Sequence, residues 1–149
     1  PLFRLVGTVR EAAPEATVLA VCGRNDRLRR RLARLDDDRI RTYGYVYDLH
    51  RLVGASDLVI TKPGALSTYE SLASLVPAVL TGIGGLMPQE SGLFEAASRH
   101  GFGFAVRTLE ELRTIVAMGA DEWRKKREAI IRFYQPTSSG NIIERIKLF

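Results

Sequence analysis

The 149-residue sequence has few of the side chains that build disulfides or metal sites. Its single cysteine, Cys22, has no partner for an internal bridge, and two histidines do not make a metal cluster. No apolar run approaches the roughly 20 residues that a membrane-spanning helix needs, and no signal-peptide pattern opens the sequence. We therefore expect a reducing, cytoplasmic environment. Because no starting methionine is present, we also expect a piece of a longer protein.

The residues that are present have the composition of a folded domain with excess positive charge. Hydrophobic residues make up 46% of the sequence and charged residues 26%, close to the average of globular proteins. The 22 lysines and arginines outnumber 17 acidic residues, which gives a net charge of +5. This surplus predicts an anionic partner: a nucleic acid, an acidic membrane surface or a phosphorylated ligand.

Short apolar runs alternate with amphipathic segments along the chain. After a helical pattern at the N-terminus, strands are predicted at residues 17–22, 40–46, 57–61, 77–81 and 103–106. Helices are predicted at residues 28–35, 49–55, 66–75, 89–100, 109–118, 121–134 and 140–149. This alternation predicts a Rossmann-like α/β domain, a parallel sheet flanked by helices. No GxGxxG pattern follows the first predicted strand, which disfavours a dinucleotide site.

The turn after the third predicted strand carries the clearest signal for ligand binding. Residues 61–70 read TKPGALSTYE, so that a strand, a glycine turn and a helix start follow one another. The free N–H groups of Ala65, Leu66 and Ser67 predict an anion site, above all for a phosphate. Glu70 is placed to accept hydrogen bonds from the two hydroxyls of a ribose. The alternative is an ordinary helix start, with Ser67 as its cap and Glu70 complementing the helix dipole.

Two further turns at strand ends are weaker candidates. Residues 81–90 (TGIGGLMPQE) contain three glycines and set Gln89 and Glu90 at a helix start, where they can bond sugar hydroxyls. After the first predicted strand, Gly23 allows close approach and Arg24 can bind a phosphate. On spacing alone, a flexible loop explains residues 81–90 better than a sugar site does. For Gly23 and Arg24, an ordinary turn with a solvated arginine remains an alternative to phosphate binding.

The remaining polar features favour structural interpretations. His50 and His100 are expected at helix surfaces, and Cys22 in a buried strand. The arginines within residues 27–34 predict a solvated helix face, whereas residues 123–127 (WRKKR) are a candidate contact with an anionic membrane. Nucleic-acid binding has the least support, because the arginines lack interleaved aromatic residues.

The turn motifs also follow one another in a characteristic order. The series runs CGRN at 22–25, YGYV at 43–46, ASDLVITKPGALSTYE at 55–70 and PQE at 88–90. It resembles the nucleotide-sugar-binding C-terminal domain of the diacylglycerol glycosyltransferases, a family that includes monogalactosyldiacylglycerol synthase and, more distantly, MurG. The resemblance covers nearly the whole chain and implies the C-terminal half of the two-domain GT-B architecture, whose active site lies in the cleft between domains.

The resemblance implies that the turn after the third predicted strand holds the donor, a UDP-sugar. The backbone of Gly64, Ala65, Leu66 and Ser67, with the Ser67 hydroxyl, would bind the diphosphate, and Glu70 would bind the ribose. The other turns would contact the base, the hexose and the phosphates. Those residues are the backbone of Tyr45 and Val46 for the uracil, Gln89 and Glu90 for the hexose, and Gly23 with Arg24 beside the phosphates.

The resemblance implies a hexosyltransferase that uses a diacylglycerol-type lipid acceptor and no metal or other cofactor. It also implies peripheral association with an anionic membrane on its cytoplasmic face, and no nucleic-acid partner. The general base is expected in an N-terminal acceptor domain outside this sequence, and a first strand is expected ahead of Pro1. The family usually has asparagine three residues after its Gln-Glu pair, where this chain has Leu93, so the sugar stays open.

Two other functions remain as alternatives at this stage. One is a UDP-sugar 2-epimerase of the same fold, which acts without an acceptor. The other is a non-catalytic basic module that binds an anionic membrane or nucleic acid through its arginines.

Overall fold

Strands and helices alternate along the part of the chain that the structure describes. The structure is a computed structural model that describes residues 1–134. The strands are β1 (Val18–Val21), β2 (Ile40–Tyr43), β3 (Val59–Thr61), β4 (Ala78–Thr81) and β5 (Gly103–Val106). The helices are α1 (Leu2–Ala12), α2 (Asp26–Ala33), α3 (Leu49–Gly54), α4 (Ala65–Ala73), α5 (Ser91–Arg99), α6 (Leu109–Ala117), α7 (Ala120–Arg124) and α8 (Arg127–Phe133). The Rossmann-like α/β class is confirmed; the helix predicted at residues 140–149 lies outside the described residues.

Strand β4 sits at the centre of the core, and its side chains alternate between two helical layers. Ala78 and Leu80 pack with Leu72 of α4, on the layer formed by α4, α5 and α8. Val79 packs on the opposite layer, with α1 and α6. All four residues of β4 are buried, as expected for a strand that is paired on both sides and covered on both faces.

The predicted single sheet is divided into two parallel sheets. One contains β1 and β2, and the other contains β3, β4 and β5 in that order. In the register of the pairs, Val18 lies opposite Ile40, Val59 opposite Ala78, and Ala78 opposite Gly103. No described strand pairs β1 to β3, and the residues of β3 are only half-buried. The two strands therefore face each other across a gap in the sheet.

Backbone hydrogen bonds show which edges border this gap. The N–H groups of Val18 and Cys22 donate to carbonyls of the β2 side at 2.8 Å, and that of Val59 donates to Pro77 at 3.0 Å. Because N–H groups alternate in direction along a strand, those of Leu19 and Ile60 point away from these partners. A cavity of about 510 Å³ lies between the two edges, lined by residues of β1, α1 and the segment Leu58–Ile60.

The segment after α6 folds differently from the prediction. Residues 121–134 were expected as one helix but form α7 and α8, with a break at Lys125 and Lys126. Trp123 is buried, and its indole Nε1–H donates to the Ile115 carbonyl at 2.8 Å. Ile130 instead packs in the layer of α4 and α5, so the chain must turn between these two anchors. Trp123 is therefore not available for the membrane contact proposed for residues 123–127, and this part of the prediction is wrong.

A hydrogen-bonded arginine ties the end of α1 to the turn before β2. Arg10 donates to Asp37 Oδ2 at 2.7 Å and to the carbonyls of Pro14 and Ala16. The Arg39 N–H donates to the other carboxylate oxygen of Asp37 at 2.9 Å. The hydrogen bond from Arg10, supported by the one from Arg39, lowers the pKa of the Asp37 carboxyl below its usual value.

The lowered pKa of Asp37 predicts a stability contribution that depends on pH. The contribution is fully present above the unfolded pKa of about 3.9 and is lost as the pH falls through the lower folded value. Asp37→Asn is therefore expected to reduce the Tm at neutral pH, and the deficit should shrink in acid. Thermal unfolding over a pH series measures this, with Asp38→Asn, an exposed neighbour, as the matched control. A deficit of the same size at every pH would contradict the assignment.

Candidate functional site

The start of α4 presents three backbone N–H groups that find no acceptor within residues 1–134. Gly64 is the N-cap, and the first helical bond runs from the Thr68 N–H to the Gly64 carbonyl at 3.1 Å. The N–H groups of Ala65, Leu66 and Ser67 precede that bond and point out of the helix end. The free donors that the sequence predicted are therefore present. Together with the helix dipole they favour an anion at this position.

The side chains around this helix start are arranged to leave it open. The N-cap residue, Gly64, has no side chain that could cap the helix. The interpretation of Ser67 as the capping residue is wrong, because Ser67 lies in the first turn of α4. Ser67 and Glu70 are both half-buried, so each keeps part of its surface towards solvent. Thr68 is fully buried on the inner side, and its Oγ1 has no partner among the described residues. Hydroxyl, carboxylate and backbone donors thus lie within about one helical turn.

The glycine-rich turn after β4 lies at the start of α1. Gly84 and Gly85 have φ angles of 91° and 101°, a backbone conformation that favours glycine. A side chain added at Gly84 would come within 3.7 Å of the Pro1 ring, so the turn and the N-terminus of α1 are neighbours. Since β3 and β4 are adjacent parallel strands, this turn and the α4 start share one edge of the sheet.

Gln89 and Glu90 lie in a short 3-10 turn (Pro88–Glu90) that precedes α5. Glu90 is 5% exposed, and its Oε2 accepts a hydrogen bond from the Met87 N–H at 2.9 Å. Gln89 is exposed. The carboxylate of Glu90 is therefore held in place by the turn, whereas the amide of Gln89 extends towards solvent.

The turns after β1 and β2 meet over the other sheet. Gly23 has a φ of 57°, and the Arg24 guanidinium lies 5.8 Å from the centre of the Tyr45 ring. Tyr45 is 60% exposed, and its ring contacts Tyr47 edge-on with centroids 5.0 Å apart. Val46 is half-buried between the two tyrosines in sequence. Arginine and tyrosine together form an exposed flat surface suited to an aromatic or anionic group.

Sequence reasoning missed the part that Tyr47 plays in this surface. Tyr47 is 91% exposed, a fraction that is unusual for a large aromatic side chain in a folded domain. The available signal was the spacing of Tyr43, Tyr45 and Tyr47 at every second residue, which in a strand places side chains on one face. Tyr47 thus belongs with Arg24 and Tyr45 at this edge of the structure.

The two histidines lie at the surface as predicted, whereas Cys22 does not lie in a buried strand. His50 and His100 are exposed, and Cys22 is half-buried directly after β1. Burial raises the pKa of the Cys22 thiol, although Arg29 partly opposes the shift, so the group stays protonated at neutral pH. Leu93 is partly buried against the core cluster of α4, α5 and α8, so this residue belongs to the hydrophobic core.

Within residues 1–134, no three histidine, cysteine, aspartate or glutamate side chains are grouped so as to hold a metal ion. In the same part of the chain, no helix combines the length and apolar character needed to cross a membrane.

All four turns follow the carboxyl ends of parallel strands, where α/β domains bind their ligands. The structure brings Arg24 to Tyr45 over one sheet, and it sets the α4 start and the glycine turn at the same edge of the other. The fold and these turns define a Rossmann-like α/β domain whose carboxyl edge carries free backbone donors, a carboxylate and exposed aromatic rings.

Known proteins with similar sequences indicate which family this Rossmann-like α/β domain resembles. No protein-family model matches the chain. Over 95% of its length the chain is 28% identical to the processive diacylglycerol beta-glucosyltransferase of Bacillus cereus (strain 03BB102). It is 27% identical, over the same share, to the processive diacylglycerol beta-glucosyltransferase of Bacillus mycoides (strain KBAB4). The predicted resemblance to diacylglycerol glycosyltransferases is thus confirmed, and the chain spans 39% of the length of these relatives.

A solved structure supports the same fold. The chain matches the crystal structure of the glycotransferase of kitacinnamycin with a TM-score of 0.65 at 17% identity. The match covers 97% of this chain and 39% of that one. At this identity the likeness shows the fold alone, which is that of one part of a GT-B glycosyltransferase.

Proposed function

We propose that this chain is the donor-binding part of a hexosyltransferase that moves a sugar from a UDP-sugar to a diacylglycerol-type lipid. The observation that carries the proposal is the α4 start, where free N–H groups and Glu70 stand at the carboxyl edge of the sheet. The similarity to processive diacylglycerol beta-glucosyltransferases supports the choice of donor and acceptor.

In this mechanism the acceptor hydroxyl attacks the anomeric carbon of the hexose. The bond between that carbon and the diphosphate oxygen breaks, and UDP leaves with the electron pair. The Ala65, Leu66 and Ser67 N–H groups stabilise the charge that develops on the diphosphate, as fixed donors that need no reorganisation. The proton of the acceptor passes to a general base in the acceptor domain. We propose that the departing diphosphate needs no metal ion, because the helix dipole and the backbone N–H donors stabilise its negative charge.

The other contacts follow from the positions of the remaining turns. Glu70 accepts the ribose hydroxyls, and the Tyr45–Val46 backbone contacts the uracil. Gln89 and Glu90 contact the hexose, while Gly23 and Arg24 lie beside the phosphates. Because the proposed acceptor is a lipid, we also propose that the enzyme is a peripheral membrane protein, on the cytoplasmic face.

A second domain and one further strand complete the protein in this proposal. The chain spans 39% of its relatives, which leaves length for an acceptor domain. The gap between β1 and β3 has the unpaired edges of two parallel strands, and α1 packs beside it. A strand that enters α1 at Pro1 would end at the same carboxyl edge as β1, because α1 leads back to the start of β1.

Hydrogen exchange tests the proposed strand. In the full-length protein the amides of Leu19 and Ile60 should be protected, whereas in the 149-residue chain they should exchange rapidly. The amides of Val18 and Val59 already have acceptors and serve as internal controls that stay protected in both. Equal exchange of Leu19 and Ile60 in the two proteins would contradict a strand in the gap.

The function is tested by offering several UDP-sugars to the full-length protein, with and without diacylglycerol. The proposal predicts a glycosylated lipid and free UDP, formed only when diacylglycerol is present. Conversion of a UDP-sugar to its epimer without lipid would instead establish the 2-epimerase alternative. Absence of both products would contradict a UDP-sugar enzyme.

A further inference from the structure

The outer side of α2 carries a group of positive charges that are unpaired among the described residues. Asn25, Leu28 and four exposed arginines line an open concavity of about 710 Å³. The arginines are Arg27, Arg30, Arg31 and Arg34. Within residues 1–134 none of these four forms an ion pair. We call this set of four the α2 arginine face.

Four other exposed arginines have an acidic partner, whereas six exposed arginines outside α2 form no ion pair within residues 1–134. Arg99 pairs with Glu95, Arg132 pairs with Glu128, and Arg124 pairs with both Asp57 and Asp121. Even on α2 itself, Arg29 pairs with Asp26 and stands outside the concavity. The α2 arginines are distinguished by their grouping around one concavity, where their charges add to a local positive potential.

Packing holds this face in a fixed orientation. Leu32 is buried against Val6 and Ala20, which points the arginines of α2 away from the core. The Arg31 guanidinium stacks on the Phe3 ring at 3.9 Å and links α2 to α1. Asn25 Oδ1 caps α2 by accepting from the Leu28 N–H at 3.0 Å. The face is thus a rigid surface about 12 Å long, from the rise of eight helical residues.

The face begins next to the candidate donor site. Asn25 lines the concavity and directly follows Gly23 and Arg24, which lie at the carboxyl edge of β1. A surface that the arginines contact would therefore lie beside the edge where the donor is proposed to bind. No aromatic side chain lines the concavity, and single-stranded nucleic acids are held by such side chains.

We propose that the α2 arginine face binds the anionic headgroups of a lipid bilayer and holds the donor site beside the membrane. Arginines attract anionic lipids within about a Debye length of the surface, and several charges grouped on one helix add their effects. The choice of a bilayer over other polyanions rests on the proposed transfer to a lipid acceptor. The charge pattern itself does not depend on that function.

The test uses the full-length protein and sedimentation with vesicles that contain no diacylglycerol. Wild-type protein should bind phosphatidylcholine vesicles that carry phosphatidylglycerol, but not pure phosphatidylcholine, and high salt should release it. The triple variant Arg27→Gln, Arg30→Gln and Arg34→Gln should lose roughly fivefold in partitioning per charge, and hence roughly a hundredfold in all. All three side chains are exposed, so the Tm should not change.

A matched control removes the same net charge elsewhere. The triple variant Arg99→Gln, Arg124→Gln and Arg132→Gln should lose no more than a few-fold in partitioning. Equal losses in the two variants, or no binding of wild type to the anionic vesicles, would overturn the proposal. Loss of oligonucleotide binding with vesicle binding unchanged would overturn it in favour of a nucleic-acid surface.

A second readout separates this proposal from the proposed function. Glycosyl transfer to diacylglycerol dispersed in detergent micelles should be the same in wild type and in the Arg27, Arg30 and Arg34 variant. If no transfer is detected while vesicle binding follows the expected pattern, the transferase proposal fails and the membrane surface stands. If transfer occurs but the α2 variant keeps its vesicle binding, the membrane surface fails alone.

Discussion

Gly64→Val is expected to weaken UDP binding at least about tenfold while leaving the fold intact. Gly64 has φ −74° and ψ 141°, a conformation that valine adopts readily, and an added Cβ meets no atom within 4 Å. Valine caps a helix less well than glycine, but it also restricts the unfolded chain, so stability should change by no more than about 1 kcal/mol. The side chain would instead occupy the space in front of the free N–H groups.

The control for this variant is a glycine with the same freedom at the opposite edge. Gly54 ends α3, which runs from the end of β2 to the start of β3, and a Cβ there also meets no atom within 4 Å. Gly54→Val should leave UDP affinity unchanged in calorimetry. If Gly64→Val binds UDP as tightly as the Gly54 variant, no diphosphate approaches the α4 start.

Glu70→Gln is expected to reduce UDP affinity about tenfold to a hundredfold. The change keeps the shape of the side chain but removes the charge, and hydrogen bonds to a charged acceptor contribute about 1.5–3 kcal/mol. Glu70 is half-buried one turn into α4, where its carboxylate is held by the helix and still reaches solvent. Glu95→Gln, on the exposed side of α5, is the matched control and should have no effect.

A thermodynamic cycle with 2′-deoxy-UDP assigns the effect of Glu70 to the ribose. The deoxy ligand should bind wild type more weakly than UDP does, and Glu70→Gln should then cost much less than it costs with UDP. Equal losses with both ligands would place Glu70 away from the 2′-hydroxyl. Unchanged UDP affinity in Glu70→Gln would remove this residue from the donor site.

Local sequence patterns predicted the elements that build the candidate site. The apolar run before Gly23 and the TKPG turn after β3 place their strands and helix starts correctly. The three free N–H groups at the α4 start follow from backbone geometry, because any helix that begins after Gly64 leaves them unpaired. These features depend on a few neighbouring residues, which is why the sequence is sufficient to predict them.

Features that depend on distant contacts were not predictable in the same way. Residues 121–134 have continuous helix-forming residues, yet Trp123 bonds to Ile115 and Ile130 packs in the opposite helical layer. Both are tertiary contacts, and together they interrupt the helix that the local sequence favours. The division of the sheet is a further case, because strand patterns do not reveal which pairs of strands are adjacent.

The geometry of the candidate site was only partly predictable for the same reason. The sequence places Gln89 and Glu90 together, but the structure gives them different environments, with Glu90 bound to the Met87 N–H and Gln89 exposed. The position of Arg24 over Tyr45 joins two turns that lie 21 positions apart in the sequence, from 24 to 45. Side-chain positions of this kind are set by the pairing of β1 with β2.

The central claim is that the backbone donors at the start of α4 bind the diphosphate of a UDP-sugar. Amide chemical shifts of the isotopically labelled full-length protein, recorded during a titration with UDP, test it directly. The largest changes are expected at the amides of Ala65, Leu66 and Ser67, with smaller ones near Tyr45. Changes confined to the α2 arginine face, or no change at the α4 start at saturating UDP, would contradict it.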